Sequence, residues 1–326
     1  MANGWLVRKF LADSLIGLMD SSLVRADHLV KRYGQFEAVS GISFSIEKGE
    51  TFGFLGPNGA GKTSTMKMVS SVAAPTSGSL SIFGMDPQRD GAAVRSRLGV
   101  VTQEDSLESE LTVLDNLYIF GRYHGLPRAV IRERSAELLE FAQLTDKKDE
   151  KVDALSGGMK RRLTIARSLI NKPELVILDE PTTGLDPQAR HLLWERLYRL
   201  KSDGVTLVIT THYMDEAEQL CDRLVIMDKG LIVAEGSPRE LISSHSSREV
   251  LELRFGVNDH ATHSDRLRPF ADRLEILPDR SLLYVHDGDA TLAAIHAAGI
   301  MPESALVRRA SLEDVFLRLT GRTLVD

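Results

Sequence analysis

The sequence predicts an α/β fold with a phosphate-binding core and a small α+β domain behind it. Three observations carry this. Short, wholly apolar runs such as LVILDE and VTLVIT alternate with helical stretches. That alternation is the mark of a parallel sheet buried on both faces. The glycine-rich segment Gly56 to Thr63 joins an apolar strand, TFGFL, to a helix. Beyond a Ser-rich stretch at 243–249, the order changes to β-α-β-β-α-β plus a final helix, the ferredoxin-like split βαβ pattern.

The elements follow in order. Residues 23–55 have strand character, and 61–73 are helical, ending near Pro75. SLSIF and LGVVTQ alternate as strands. Residues 112–143 are helix-rich, with Gly125 and Pro127 breaking them into two helices. A loop ending in LSGG leads into a basic helix from Met159 to about Ile170, then LVILDE. Helices over 187–201 and 213–220 flank the strand VTLVIT, and RLVIMDKG is a strand running into a turn. The C-terminal expectation is strand 250–255, helix 260–270, strands 273–277 and 282–286, helix 289–298, strand 304–308 and helix 311–319. The domain expectation is an N-terminal extension over 1–22, a core over 23–243 with a helical subdomain at about 104–170, and an accessory domain over 244–326.

Composition narrows the function classes. The 326 residues are 43% hydrophobic and 26% charged, ordinary for a chain with a real core. Forty basic against 46 acidic residues give a net charge of -6, which does not favour a nucleic-acid partner. The single cysteine, Cys221, allows no intrachain disulfide, fits a reducing compartment and is expected to be a small core residue. No apolar run approaches the ~18–20 residues that span a bilayer. Trp5, Leu6, Phe10, Leu11, Leu15, Ile16 and Leu18 could form a membrane-surface helix, but an unstructured extension, or a start at Met19, is the expectation.

Gly56-Pro57-Asn58-Gly59-Ala60-Gly61-Lys62-Thr63, followed by Ser64, satisfies G-x-x-x-x-G-K-[ST]. Glycines let backbone N–H groups approach phosphate oxygens, and the following helix N-terminus adds partial positive charge. Lys62 would reach the β- and γ-phosphates of ATP, and Thr63 would ligate Mg²⁺. Phosphoryl transfer also needs a metal carboxylate and a positioned water. Asp179, at the end of LVILDE, suits the metal. Glu180 beside it suits the general base.

Leu155-Ser156-Gly157-Gly158-Met159, between that loop and that acidic strand end, resembles the signature of the ATP-binding-cassette (ABC) family. The resemblance covers about residues 23–240. It implies that Tyr33 stacks on adenine, that Gln103 touches Mg²⁺ and water, that Gly184-Leu185-Asp186 crosses a dimer, and that His212 contacts the γ-phosphate. Taken singly, Tyr33 is a packing residue, Gln103 a surface amide and His212 a structural histidine; the functional reading comes from their order. Ser156, Gly157 and the helix after them form a second anion-binding helix end, which in the family meets the nucleotide of another cassette. The resemblance therefore implies a homodimer when ATP is bound, with a separate membrane permease, at the cytoplasmic face of the inner membrane.

MKRRLTIARSLI after the signature and SLEDVFLRLTG near the end resemble the drug and polysaccharide exporter branch. ETFGFLGPNGAGKTSTMKM, PTTGLDPQARHLLWERL and LCDRL are similar to the nodulation ATP-binding protein I group. That group implies export of a lipo-chitooligosaccharide with a nodulation permease J-like partner; a daunorubicin-type drug exporter is the competitor. A ribosome- or DNA-acting relative would bring a second cassette or an inserted coiled coil, and a non-catalytic regulator would lack Glu180 or His212. Lys160, Arg161 and Arg162 are expected on a solvated or dimer-facing surface. Leu107, Leu111, Leu114, Leu117, Tyr118 and Phe120 lie where the family docks its permease, but are expected mainly as helical-subdomain core.

Overall fold

A computed structural model describes residues 22–104, 106–256 and 260–321. The expected N-terminal extension, with its candidate amphipathic helix, lies outside these residues apart from Ser22. The elements in chain order are β1 (Ser22–Tyr33), β2 (Phe36–Glu47), β3 (Thr51–Leu55), α1 (Lys62–Val69), β4 (Ser77–Ile82), α2 (Gly91–Ser96), β5 (Leu98–Val101), α3 (Val113–Tyr123), α4 (Arg128–Ala142), α5 (Gly157–Ser168), β6 (Leu175–Asp179), α6 (Pro187–Ser202), β7 (Thr206–Thr211), α7 (Met214–Leu220), β8 (Arg223–Asp228), β9 (Leu231–Gly236), α8 (Pro238–His245), β10 (Glu249–Arg254), α9 (His260–Leu267), β11 (Arg273–Ile276), β12 (Ser281–Val285), α10 (Gly288–Ala297), β13 (Ser304–Arg309) and α11 (Leu312–Thr320). The described residues divide into two compact units: 22–212 with 219–232, and 213–218 with 233–321.

In the first unit a sheet of order β5-β6-β7-β3-β8-β9 forms the centre. β3, β6 and β7 are buried at every position, because α1, α2 and a smaller antiparallel sheet cover one face and α3 to α6 the other. The pairs β5–β6, β6–β7, β3–β7 and β3–β8 are parallel, so the carboxyl ends of these strands emerge on one edge. Ligand crevices of open α/β sheets lie on that edge. Phe44 and Phe54 pack edge to face at 5.1 Å beside Phe52, filling the layer beneath the smaller antiparallel sheet β2-β1-β4. The helical part has its own core, in which Leu117, Leu138, Leu139 and Leu163 are buried and Leu107, Leu114 and Phe120 pack against them. Those three and Leu117 are thus core residues, as expected of most of the apolar positions there. Cys221 is buried, also as expected.

The second unit contains an antiparallel sheet of order β11-β12-β10-β13. The first and third strands of its β-α-β-β-α-β order are neighbours at the centre, which is the split βαβ arrangement. One sheet face packs Leu251, Leu253, Leu283 and Val285 with Leu267 and Ile295 from α9 and α10. The other packs Val250, Leu282 and Tyr284 with Leu317 of α11. Buried Asp314 accepts from Arg308 at 2.7 and 2.9 Å and from the Ser311 N–H at 2.8 Å, tying β13 to the start of α11.

The Ser-rich stretch is shorter as a connector than expected. Ser237 and Glu240 form a capping box that starts α8, and buried Leu241 anchors it, so the helix runs through Ser243 and Ser244 to His245. Only residues 246–248 remain before β10.

Candidate functional site

β3 delivers the phosphate loop. Gly56 lies so close to the Met227 carbonyl that a Cβ would come within 2.4 Å of its oxygen. Gly61 caps α1 at φ +104°, and a Cβ there would sit 2.5 Å from the Ala38 carbonyl oxygen. Both positions therefore require glycine. Lys62 begins α1 and is buried; its Nζ donates to the Gly56 and Pro57 carbonyls at 2.7 and 3.1 Å. Burial pushes its ammonium below the usual lysine range, opposed by the nearby Glu180 and Asp179 charges. A cavity of about 170 Å³ is lined by Phe36, Ala38, Asn58 to Ser64, Gln103 and Glu180.

The acidic half comes from β6. Asp179 ends that strand, and Thr210 of β7 donates its hydroxyl to Asp179 Oδ1. Glu180 follows at φ +47°, a left-handed conformation costly for a residue with a Cβ. Neighbours hold it there: the Glu180 N–H donates to the Thr210 carbonyl at 3.1 Å and to Thr210 Oγ1 at 3.0 Å. Glu180 in this conformation lines the phosphate-loop cavity. Its oxygens accept from Gln103 Nε2 at 3.3 Å and Thr183 Oγ1 at 3.2 Å, and lie 3.3 Å from His212 Nδ1 and 3.8 Å from Lys62 Nζ. The ends of β3, β5 and β7 thus bring Lys62, Gln103 and His212 around the carboxylate of Glu180 at the end of β6, a residue 8% exposed. Thr63, Gln103 and Asp179 border a second, adjoining cavity. Their oxygen donors suit Mg²⁺, a hard cation that takes few protein ligands and shares the rest with phosphate and water. Among the described residues no group of three or more His, Cys, Asp or Glu gathers as an all-protein metal cage.

The signature lies elsewhere. Ser156 caps α5, its hydroxyl accepting the Met159 N–H at 3.3 Å, and Asp186 caps α6, accepting the Ala189 N–H at 2.8 Å. Ser156, Gly157, Gly158, Gly184 and Asp186 line a separate cavity of about 480 Å³. No residue lines both this cavity and the phosphate-loop cavity.

Tyr33 ends β1 at 47% exposure, with the Lys31 ammonium 5.1 Å from its ring centre, and does not line the phosphate-loop cavity. Phe36, its cross-strand partner, does, and is 64% exposed. Phe36, Thr183 and Thr210 went unnoticed in the sequence. The polar end of the run VTLVIT was the available signal for Thr210. Arg161 corrects an expectation outright: it is not on a solvated or dimer-facing surface but 5% exposed, donating from Nε to the Pro181 carbonyl at 2.9 Å. It shares the buried stripe of α5 with Thr164, Ile165 and Ser168, a spacing that a helical projection exposes.

Comparison with known proteins gives the family. Residues 39–183 match the family described as ABC transporter, and residues 259–321 match the C-terminal domain of the nodulation factor export protein NodI. The Nod factor export ATP-binding protein I of Ralstonia nicotianae is 48% identical, over 95% of this chain and 97% of its own length. The protein of that name from Paraburkholderia xenovorans is 47% identical, over 94% and 100%. Among solved structures, the ATP-binding subunit of an ABC transporter has a TM-score of 0.63 at 29% identity, covering 68% of this chain and 93% of its own. A dimeric ATP-binding cassette in a post-hydrolysis state with ADP and Pi scores 0.61 at 26% identity, covering 66% and 98%. No helix among the described residues is long and apolar enough to cross a membrane. Joined over nearly their whole lengths to these relatives, the sequence belongs to the ATP-binding, ATP-hydrolysing subunits of ABC transporters, in the Nod factor export ATP-binding protein I group.

Proposed function

We propose that this chain drives export of a lipo-chitooligosaccharide nodulation signal, as a homodimer bound to a separate nodulation permease J-like protein at the cytoplasmic face of the inner membrane. The observation that carries the catalytic part is the Glu180 carboxylate, within 3.3 Å of both Gln103 and His212 and beside the phosphate loop. The match of residues 259–321 to the NodI C-terminal domain supports the export branch and the reading of 244–326 as an accessory domain.

In this reading the loop from Gly56 to Thr63 and Ser64 hold the triphosphate, and Tyr33 stacks on adenine. Lys62 leaves its carbonyl partners to neutralise the β- and γ-phosphates; a buried ammonium with little hydration is well placed to pair with them. Glu180 accepts the proton of the attacking water, with Gln103 orienting that water and His212 contacting the γ-phosphate. Thr63, Gln103 and Asp179 would hold Mg²⁺, which when bound neutralises charge developing on the phosphates. Ser156, Gly157, Gly158 and Asp186, which line a cavity separate from that of their own loop, serve the nucleotide of the second copy. Two nucleotides then bridge two chains. Loss of the γ-phosphate removes the bridge, and the permease feels the opening.

The test is to purify the chain from membranes of its own host, identify the multi-span protein that accompanies it, and measure lipo-chitooligosaccharide in the medium with and without Glu180→Gln. The proposal expects a permease and a loss of secreted signal. Unchanged secretion, or a permease that restores only drug resistance, overturns the export assignment.

A further inference from the structure

One side chain ties the separate pieces of the site together. Arg161 donates from Nε to the Pro181 carbonyl at 2.9 Å, from Nη1 to the Thr102 and Gln103 carbonyls at 2.6 and 3.4 Å, and from Nη2 to the Asp179 and Glu180 carbonyls at 3.0 and 3.1 Å. Five acceptors from two segments far apart in sequence thus converge on a guanidinium carried by a third, α5. The residue type matters. Arginine offers five N–H donors in a rigid, permanently charged fork, whereas lysine offers three from a point.

The segments gathered are those whose geometry decides the chemistry. Gln103 and Glu180 meet side chain to side chain at 3.3 Å, and their main-chain carbonyls bond the same guanidinium. Glu180 is held at φ +47°, with Thr210 on its N–H and Arg161 on its carbonyl. Arg161 in turn lies four residues, about one turn, beyond Gly157 at the start of α5.

We propose that Arg161 is a positioning residue that fixes Gln103 and Glu180 relative to each other and links both to the start of α5. When Ser156 and Gly157 engage a triphosphate, the shift is passed through the guanidinium to the carboxylate. The inference rests on the ATPase reading above and adds a link between signature and base. The bonds described run from Arg161 to residues 102–103 and 179–181, the segments of Gln103 and Glu180, so its loss is expected to tell on catalysis more than on nucleotide affinity.

The test uses the full chain with Arg161→Lys and Arg161→Gln, alone and combined with Gln103→Ala. The expected result for Arg161→Lys is a KM for ATP within twofold of wild type and a kcat per active site lowered at least tenfold. In the Gln103→Ala background the same change costs threefold or less, because one of the groups it positions is gone; coupled residues are non-additive in this way. A merely structural arginine lowers the melting temperature and the active fraction, leaves kcat per active site unchanged and multiplies equally in both backgrounds; that result overturns the proposal. If the Arg161 variants do not fold, hydrogen exchange on Glu180→Gln protein decides. Mg-ATP is expected to protect residues 102–103, 157–161 and 179–183 with one common midpoint, and separate midpoints overturn the link. Failure of the ATPase reading itself looks different: the wild-type chain would neither bind nor split ATP.

Discussion

Replacing Thr210 with valine removes one hydroxyl and almost no volume, so its effect isolates the hydrogen bonds beneath the two acidic residues. Thr210 is fully buried in β7. Its hydroxyl donates to Asp179, which is 7% exposed, and accepts the Glu180 N–H at 3.0 Å. A hydrogen bond to a charged group contributes about 1.5–3 kcal/mol. The Glu180 N–H keeps the Thr210 carbonyl at 3.1 Å, so that loss adds only about 0.5 kcal/mol. The sum is about 2–3.5 kcal/mol. Trp194 is buried in the same unit, so its fluorescence in urea, in a Trp5→Phe background, follows the relevant transition. Asp179 and Glu180 lose orientation as well, and kcat should fall about tenfold or more while nucleotide affinity, set by the loop, changes little. Thr210→Ser should restore most of both. A Thr210→Val protein within 0.5 kcal/mol and twofold in kcat of wild type would refute the assignment of support to this hydroxyl.

Other perturbations test separate parts. Gly61→Ala forces a Cβ to 2.5 Å from the Ala38 carbonyl oxygen at φ +104°; strain of about 1–3 kcal/mol should weaken nucleotide binding by about fivefold to 150-fold in a fluorescence titration. Asp314→Asn takes from Arg308 the more buried of its two anions, leaving Glu252 at 2.6 Å, and should cost about 1.5–3 kcal/mol in urea unfolding of the second unit, with the ATP affinity of the first unit unchanged. Burial alone would raise the Asp314 carboxyl, but Arg308 and the Ser311 N–H outweigh it and hold it below the ordinary aspartate value. Its folded value therefore lies below its unfolded one. Its contribution is present above about pH 4 and lost as pH falls through the folded value, so the urea midpoint of wild type should drop below pH 4 more than that of Asp314→Asn.

Much of the site was legible because its chemistry is written in short spacings. G-x-x-x-x-G-K-T needs only a strand before it and a helix after it, and β3 and α1 supply them. LVILDE announced its own burial, and the C-terminal order of elements carried the split βαβ topology. What stayed hidden depends on register and tertiary partners. Arg161 sits in a basic run beside Lys160, and only its angular position on α5 separates it from solvent. The capping box at Ser237 extends a helix into serines of poor helix propensity. The short helix α2 begins at Gly91 with no side-chain cap and left no signal in the sequence. Phe36 faces the cavity because the β1–β2 hairpin pairs it with Tyr33, which pattern alone does not reveal.

The central claim is that the loop on one chain and the signature on another enclose the same triphosphate. Glu180→Gln keeps the side chain's size and removes the carboxylate, so ATP should bind and persist. Light scattering during size-exclusion chromatography of this variant with Mg-ATP should give a species of twice the 36.0 kDa chain mass, dispersed by adding Ser156→Ala or by replacing ATP with ADP. A single 36.0 kDa species at saturating Mg-ATP would contradict the account.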